Sequence, residues 1–145
     1  MSDSRGGSAP RAADVVIGGL LSEGRILLVR TRGLPDYWQP PGGKVQDGDS
    51  STFAALRREL LEELGLQLKD GELPIFMTAP SDVSAGVIFF VVIRLNNQPD
   101  LEVQRSEILE CRWVRVAEAL ELPMKAATRQ FMRSLIKAED DLPRT

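Results

Sequence analysis

The chain contains no histidine and only one cysteine, Cys111. Without histidine, the Ser-His-Asp and Cys-His arrangements of nucleophilic catalysis are excluded, and so is a histidine general base. A zinc site is not expected, because proteins bind zinc mainly through cysteine and histidine. Any catalytic metal must therefore be bound by carboxylates, backbone carbonyls and water. These hard oxygen ligands favour Mg²⁺ or Mn²⁺.

Long apolar segments are also missing. No apolar run reaches the length of a membrane span, and the first residues lack the apolar core of a signal peptide. A single cysteine cannot form an internal disulfide, which is expected of a cytoplasmic protein. Because the net charge is only −3, neither a membrane surface nor a specific nucleic acid is expected as a partner.

The 145 residues are sufficient for one domain with its own core. Residues 1–13 are rich in Gly, Ser, Ala and Arg without periodicity, which predicts a disordered tail. The alternative for this segment is a basic arm that contacts a partner. We expect a single domain at residues 14–138 and a second tail at residues 139–145.

Strand and helix patterns alternate irregularly along this domain. Apolar and β-branched runs predict strands at residues 15–21, 25–30, 73–78, 86–95 and 111–114, the first two joined as a hairpin. Helical patterns predict helices at residues 51–64, 117–122 and 124–137. Residues 31–39 contain Gly33 and Pro35 and are predicted to form a loop. The expected fold is α/β in the α+β sense, with a mixed β-sheet between helices.

The helix at residues 51–64 has an unusual charge pattern. Its apolar stripe (Phe53, Leu56, Leu60 and Leu64) predicts one buried face, and Gly65 is placed to end the helix. Glu59 and Glu63 lie four residues apart on one face, with Glu62 beside them, in the half of the helix where the macrodipole disfavours anions. A divalent cation would resolve this conflict. The alternative is a solvated acidic face balanced by neighbouring arginines.

A glycine-rich loop, residues 41–49, leads into this helix. Together they resemble the signature of the Nudix hydrolases: Gly, five residues, Glu, seven residues, Arg-Glu, an apolar residue, any residue, Glu-Glu, any residue, Gly, an apolar residue. The matching residues are, in order, Gly43, Arg58, Glu59, Leu60, Glu62, Glu63, Gly65 and Leu66. The resemblance extends over about residues 15–137 and implies a Nudix-type α-β-α sandwich.

The resemblance implies an enzyme that hydrolyses a nucleoside diphosphate linked to another moiety, with Mg²⁺ or Mn²⁺ and attack of water on phosphorus. The substrate would be a nucleoside triphosphate, a nucleotide sugar or a dinucleoside polyphosphate. The implied metal ligands are the carbonyl of Gly42 and the carboxylates of Glu59, Glu62 and Glu63. The implied catalytic residues are Glu59, Glu62, Arg58 and Glu107, with Glu102 and Glu110 as reserves for Glu107. Which glutamate is the general base is left open, as is a homodimer, which is frequent in the family.

Four residues are candidates for substrate binding: Arg30, Arg32, Trp38 and Lys44. Arginines and an aromatic residue beside a glycine loop could bind phosphate and stack a base. The alternative for Arg32 is a solvated position at a strand end. The alternative for Trp38 is a packing role in the core, and for Trp38 we favour this alternative. We expect the residues that select the substrate on residues 31–39 and 78–84.

The sequence departs from the family signature at one place. The signature glutamate that precedes Arg-Glu falls on Asp49 when counted from Gly43 and on Ser50 when counted from Arg58, so the junction has one extra residue. In the family this glutamate supports the arginine. The departure favours an alternative function, a non-catalytic Nudix-like domain that binds a nucleotide as a sensor. A third possibility, an isoprenoid diphosphate isomerase, would need a catalytic cysteine, whereas Cys111 is expected in the core.

Overall fold

The computed structural model describes residues 14–69, 71, 73–81 and 85–141. Its strands are β1 (Val15–Ser22), β2 (Arg25–Thr31), β3 (Leu34–Gln39), β4 (Gly42–Lys44), β5 (Met77–Pro80), β6 (Val87–Arg94) and β7 (Ile108–Arg115). The helices are α1 (Thr52–Leu64), a 3₁₀ helix (Val116–Glu121) and α2 (Ala126–Asp141). The tail predicted at residues 1–13 lies outside the described residues.

The seven strands form one mixed sheet, as predicted. Its order is β3-β2-β1-β6-β5, with β4 paired to β1 and β7 paired to β2. Strands β1 and β6 run parallel, and every other pair is antiparallel. The β1–β2 hairpin is confirmed, and both residues of its tight turn, Glu23 and Gly24, have positive φ. This conformation matches the twist of the adjoining strands.

The structure corrects several predicted element bounds. Residues 31–39 are not a loop throughout, because β3 pairs with β2 at the edge of the sheet. Pro35 is tolerated there because an edge strand does not need every backbone N–H for pairing. Part of the glycine-rich loop forms β4. Residues 73–76 are not a strand; β5 begins only at Met77. In contrast, β7 is twice as long as the predicted 111–114 strand.

Helix α1 begins at Thr52, one residue after the predicted start, and ends at Leu64 as predicted. Ser51 is the N-cap, and its hydroxyl accepts a hydrogen bond from the backbone N–H of Ala54 at 3.0 Å. At the other end Gly65 adopts the left-handed conformation, with φ 66°. The N–H of Gly65 donates to the carbonyl of Leu61 at 3.0 Å, which is the hydrogen bond of an αL motif, and the N–H of Leu66 donates to the carbonyl of Leu60 at 3.2 Å. Both ends of the helix are therefore fixed in position along the chain.

Two hydrophobic cores cover the two faces of the sheet. The stripe of α1 packs on one face, with Val16 and Leu20 of β1 among its contacts. Helix α2 packs on the other, where Phe131 stacks on Phe90 with ring centroids 4.6 Å apart. Alternate residues of the central strands thus enter opposite cores. The predicted arrangement of a mixed sheet between helices is confirmed.

Helix α2 is longer than its apolar stripe indicates. It runs to Asp141, so residues 139–141 are helical and do not belong to the tail predicted at 139–145; residues 142–145 lie outside the described residues. Near this end, Arg94 of β6 forms an ion pair with Glu139 at 2.6 Å. None of the helices in the described ranges is long and apolar enough to cross a membrane.

Candidate active site

The two glycines of β4 lie against different elements, Gly43 against helix α1 and Gly42 against strand β1. A Cβ atom at Gly43 would overlap the carboxyl group of Glu59, and one at Gly42 would overlap the backbone carbonyl of Val16. Only residues without a side chain can bring β4 this close to both elements. The backbone of the loop at Gly43 and the carboxyl group of Glu59 are therefore held in contact.

Glu59 and Glu63 form a shielded carboxylate pair. Glu63 is 7% exposed and Glu59 has a side-chain exposure of 12%. Burial, the hydrogen bond shared with Glu59 and the charge of Glu59 raise the pKa of Glu63 to about 9. Burial also raises the pKa of Glu59, against the opposing effect of its neighbours Glu63 and Arg58. Glu63 Oε1 is buried and has no hydrogen-bond partner among the described residues, so the pair has one unsatisfied acceptor.

Arg58 connects the loop, the junction and the carboxylate pair. Its Nε and one terminal nitrogen donate to Asp49 Oδ1 and Oδ2, both at 2.9 Å. The same terminal nitrogen donates to the carbonyl of Lys44 at 3.1 Å. The other donates to Glu59 Oε2 at 3.1 Å and, more weakly, to Glu62 Oε1 at 3.4 Å. Arg58 therefore fixes the position of Glu59 relative to the loop.

The geometry of Asp49 explains the irregular junction. The N–H of Gln46 donates to Asp49 Oδ2 at 2.7 Å, and the N–H of Asp49 donates to the carbonyl of Gln46 at 2.9 Å. This compact turn presents the carboxylate to Arg58, and the Arg58 hydrogen bond lowers the pKa of Asp49. Asp49 thus contacts the arginine despite its shorter side chain, at a junction that has one extra residue.

The remaining acidic candidates are more exposed. The Glu62 side chain is 59% exposed, and Glu107 lies close enough for its charge to help raise the pKa of Glu63. Glu107 is held near the end of α1 because the N–H of Gln104 donates to the carbonyl of Glu63 at 2.8 Å. The reserve candidate Glu110 is instead bonded to Arg30 and Arg112. The other reserve, Glu102, lies beside Gly65 at the end of the helix.

Three of the four predicted substrate residues have partners away from the carboxylate pair. Trp38 is 5% exposed, with Arg30 and Arg112 over its ring at 5.5 and 4.8 Å. Arg30 forms an ion pair with Glu110 at 3.0 Å, and Arg32 donates to the carbonyl of Arg105. Lys44 is exposed and follows Gly43 directly. The packing interpretation of Trp38 matches its burial, while the substrate roles stay predictions.

A cavity on the α2 face of the sheet was not predicted from the sequence. Its volume is about 170 Å³, and most of its lining is apolar. The polar lining residues are Gln39, Ser81, Lys125 and Thr128. These residues are distant in sequence and belong to no motif, so only the fold brings them together. Gly43 lines this cavity and also contacts Glu59, so the glycine pair is the wall between the cavity and the carboxylates.

The donor set of the carboxylate pair fits a hard divalent cation. The pair has two shielded carboxyl groups and one oxygen without a partner among the described residues, and the backbone of Gly43 lies against Glu59. Carboxylate and carbonyl oxygens are the ligands that Mg²⁺ prefers. Within the described ranges, no group of three or more acidic or thiol side chains is arranged to hold a metal ion. The predicted third carboxylate, Glu62, is turned towards Arg58.

Comparison with known proteins agrees with this geometry. The model of the NUDIX domain family matches residues 10–135. The m7GpppN-mRNA hydrolase NUDT17 of Danio rerio is 30% identical over 143 residues, which cover 79% of this chain and 47% of the relative. The putative 8-oxo-dGTP diphosphatase 2 of Mycobacterium tuberculosis is 43% identical over 60 residues, which cover 39% of this chain and 42% of the relative. The chain thus spans less than half the length of these curated relatives.

Solved structures share the same fold. The NUDIX domain of Shewanella oneidensis NrtR, complexed with ADP ribose, has a TM-score of 0.72 and covers 94% of both chains at 16% identity. At this identity the likeness is evidence for the fold alone. The family model, in contrast, spans nearly the whole described domain and includes the loop and helix of the candidate site. This chain belongs to the Nudix hydrolase family.

Proposed function

We propose that this chain is a Mg²⁺- or Mn²⁺-dependent pyrophosphohydrolase that cleaves a nucleoside diphosphate linked to another moiety. The observation that carries the proposal is the pair Glu59–Glu63, buried with one unpartnered oxygen beside a glycine backbone. An isolated buried carboxylate is costly unless a cation or a proton neutralises it. The burial of the pair argues against a solvated acidic face, and a bound cation would neutralise the pair in place of a proton.

The chain's own residues have distinct roles in this proposal. Glu59, Glu63 and the carbonyl of Gly42 would hold the cation, with Glu62 as a further ligand or water contact. A bound cation would neutralise phosphate charge and acidify a water. Arg58 orients Glu59 through its bond at 3.1 Å. The two exposed glutamates, Glu62 and Glu107, flank the pair and are the candidates for the general base that accepts the proton of the attacking water.

The cavity suggests where the nucleoside part would bind. Its volume of about 170 Å³ is close to that of an engineered cavity of ~150 Å³ that accepts benzene, so it suits a single heterocyclic base rather than a whole nucleotide. The sugar and phosphates would then extend past Gly43 towards Glu59. A nucleoside triphosphate, a nucleotide sugar and a dinucleoside polyphosphate would all fit this arrangement, with a base in the cavity and phosphates beside Glu59. Relatives are named as acting on an mRNA cap or on 8-oxo-dGTP. These two compounds are therefore the first substrates to test.

The competing function is a nucleotide sensor without turnover. Its main support was the irregular junction before α1, which could have left Arg58 without a partner. Asp49 instead holds Arg58 through two bonds of 2.9 Å. The geometry therefore favours the enzyme over the sensor.

A substrate panel tests the proposal. The chain is incubated with Mg²⁺ and nucleoside triphosphates, 8-oxo-dGTP, ADP-ribose, capped dinucleotides and dinucleoside polyphosphates, and the products are separated by ion-exchange chromatography. We expect cleavage at a phosphoanhydride bond of at least one class, which EDTA abolishes. Binding of a nucleotide without turnover of any compound would instead support the sensor.

A further inference from the structure

The cavity on the α2 face has one charged lining residue among those described, Lys125, which comes directly before α2. Its backbone is fixed from two sides. The carbonyl of Lys125 accepts a hydrogen bond from the N–H of Arg129 at 2.9 Å, and the neighbouring carbonyl of Pro123 accepts one from the N–H of Trp38 at 2.8 Å. The residue is therefore tied both to the helix and to strand β3.

The side chain of Lys125 is also held in a defined direction. Its Nζ atom lies 5.1 Å from the ring centroid of Tyr37, which precedes Trp38 on β3. A cation over an aromatic face is attracted by the ring's quadrupole but does not thereby use all of its N–H groups. An ammonium has three donors and no acceptor, and no ion pair of Lys125 occurs among the described residues. Since Lys125 lines the cavity, its ammonium retains donors for a ligand that binds there.

We propose that Lys125 determines which base the cavity accepts, selecting heterocycles that present a carbonyl oxygen over those that present an amino group. This rests on the proposed function, because it takes the ligand of the cavity to be a nucleobase. A carbonyl oxygen would accept a hydrogen bond from the ammonium. An amino group in the same place would set donor against donor in a largely apolar site, leaving both unpaired, which is costly.

The expected preference follows from the strength of a hydrogen bond to a charged group. Such a bond corresponds to a preference of about tenfold to a hundredfold. Inosine and adenosine monophosphates are suitable probes, since they differ only at position 6 of the purine and the ring nitrogen beside it. Uridine and cytidine monophosphates form the matching pyrimidine pair. Monophosphates contain no phosphoanhydride bond, so binding is measured without turnover and without metal.

The test is calorimetric titration of the wild type, Lys125→Met and Lys137→Met with these four nucleotides. Methionine keeps the length of the side chain and removes its donors, and Lys137 is an exposed lysine of the same helix. We expect the wild type and Lys137→Met to bind inosine and uridine monophosphates at least about tenfold more tightly than their amino counterparts. In Lys125→Met we expect the two members of each pair to bind within about threefold, with an unchanged melting temperature.

Other outcomes would overturn the proposal in distinguishable ways. If the wild type binds the two nucleotides of each pair equally tightly, the proposed selectivity is refuted, but the proposed hydrolase function is not affected. If Lys125→Met weakens all four nucleotides by one factor, Lys125 is a phosphate contact and not a base-selecting residue. If no nucleotide binds to the wild type, the proposal about Lys125 fails, whereas the proposed function is decided separately by the substrate panel with Mg²⁺. Lys125→Arg, which keeps donors at this position, is expected to retain the preference.

Discussion

The contact between Asp49 and Arg58 gives the sharpest prediction about the irregular junction. Replacing Asp49 by asparagine removes the negative charge and sets an amide N–H against the guanidinium. The Asp49 side chain is 8% exposed and that of Arg58 is 24% exposed, so both groups are largely shielded from water. We expect Asp49→Asn to be less stable than the wild type and less active if the chain is a hydrolase.

The magnitude follows from the two bonds of 2.9 Å. Fully exposed ion pairs contribute about 0–1 kcal/mol, whereas breaking a buried pair costs about 3–5 kcal/mol. This partly shielded pair lies between these limits, and we expect a loss of about 2 kcal/mol. Because Arg58 also positions Glu59, turnover should fall by about tenfold to a hundredfold.

Urea denaturation measures the loss of stability, and the same variant is assayed with Mg²⁺ and its best substrate. Arg58 lowers the pKa of Asp49 in the folded state below 3.8. The stability that the ion pair contributes to the wild type should therefore be present above the pKa of Asp49 in the unfolded chain, and it should be lost as the pH falls through the pKa in the folded state. Asp49→Asn should lack that dependence. Asp47→Asn, in the exposed part of the same loop, is the control. If Asp49→Asn stays within about 0.5 kcal/mol of the wild type, the reasoning is refuted.

The same contact predicts a compensating pair of changes. Asp49→Glu lengthens the side chain by one methylene and should displace Arg58, and deleting Ser50 alone should pull Asp49 away from it. Combining the two restores the spacing of the family signature. We expect the combined variant to be more stable than either single change, and an additive loss would show that junction length and side-chain length are independent.

Three further predictions concern the carboxylates, the glycine wall and the helix cap. The pKa of Glu63 is raised from 4.5 to about 9, so without metal the free energy of unfolding should fall as the pH rises between these values. Glu63→Gln should flatten this trend, measured by urea denaturation in EDTA; an unchanged slope would contradict the burial of the charge. Gly43→Ala should displace the Glu59 carboxyl group and weaken Mn²⁺ binding in calorimetry by at least about tenfold, whereas unchanged affinity would separate Gly43 from the site. Ser51→Ala should cost about 0.5–2 kcal/mol in thermal denaturation, and no loss would mean that another residue caps α1.

The helix of the site could be predicted closely from the sequence because its signals are local. An apolar stripe at three- and four-residue spacing and a glycine at position 65 that can adopt the left-handed conformation depend only on neighbouring residues. The mixed sheet could be predicted for a similar reason, from apolar runs and the resemblance to a family.

Other features depend on residues that are far apart in the sequence. Residues 34–39 become a strand because β2 offers a pairing edge, which outweighs the turn propensities of Gly33 and Pro35. The cavity joins Gln39, Ser81 and Lys125 from separate elements. The direction of Arg30 is set by Glu110, eighty positions later. Local patterns contain no information about such contacts, so the substrate residues were the least predictable part of the site.

The central claim is that Glu59 and Glu63 form the cation site of a nucleotide hydrolase, and its most direct test is turnover by the two glutamine variants. Glu59→Gln and Glu63→Gln are compared with the wild type on the best substrate of the panel with Mg²⁺, with the exposed Glu121→Gln as the control. We predict that each site variant folds but loses turnover by about a thousandfold or more, equivalent to about 4 kcal/mol of transition-state stabilisation. Turnover by both variants at the level of the wild type and the control would contradict the assignment.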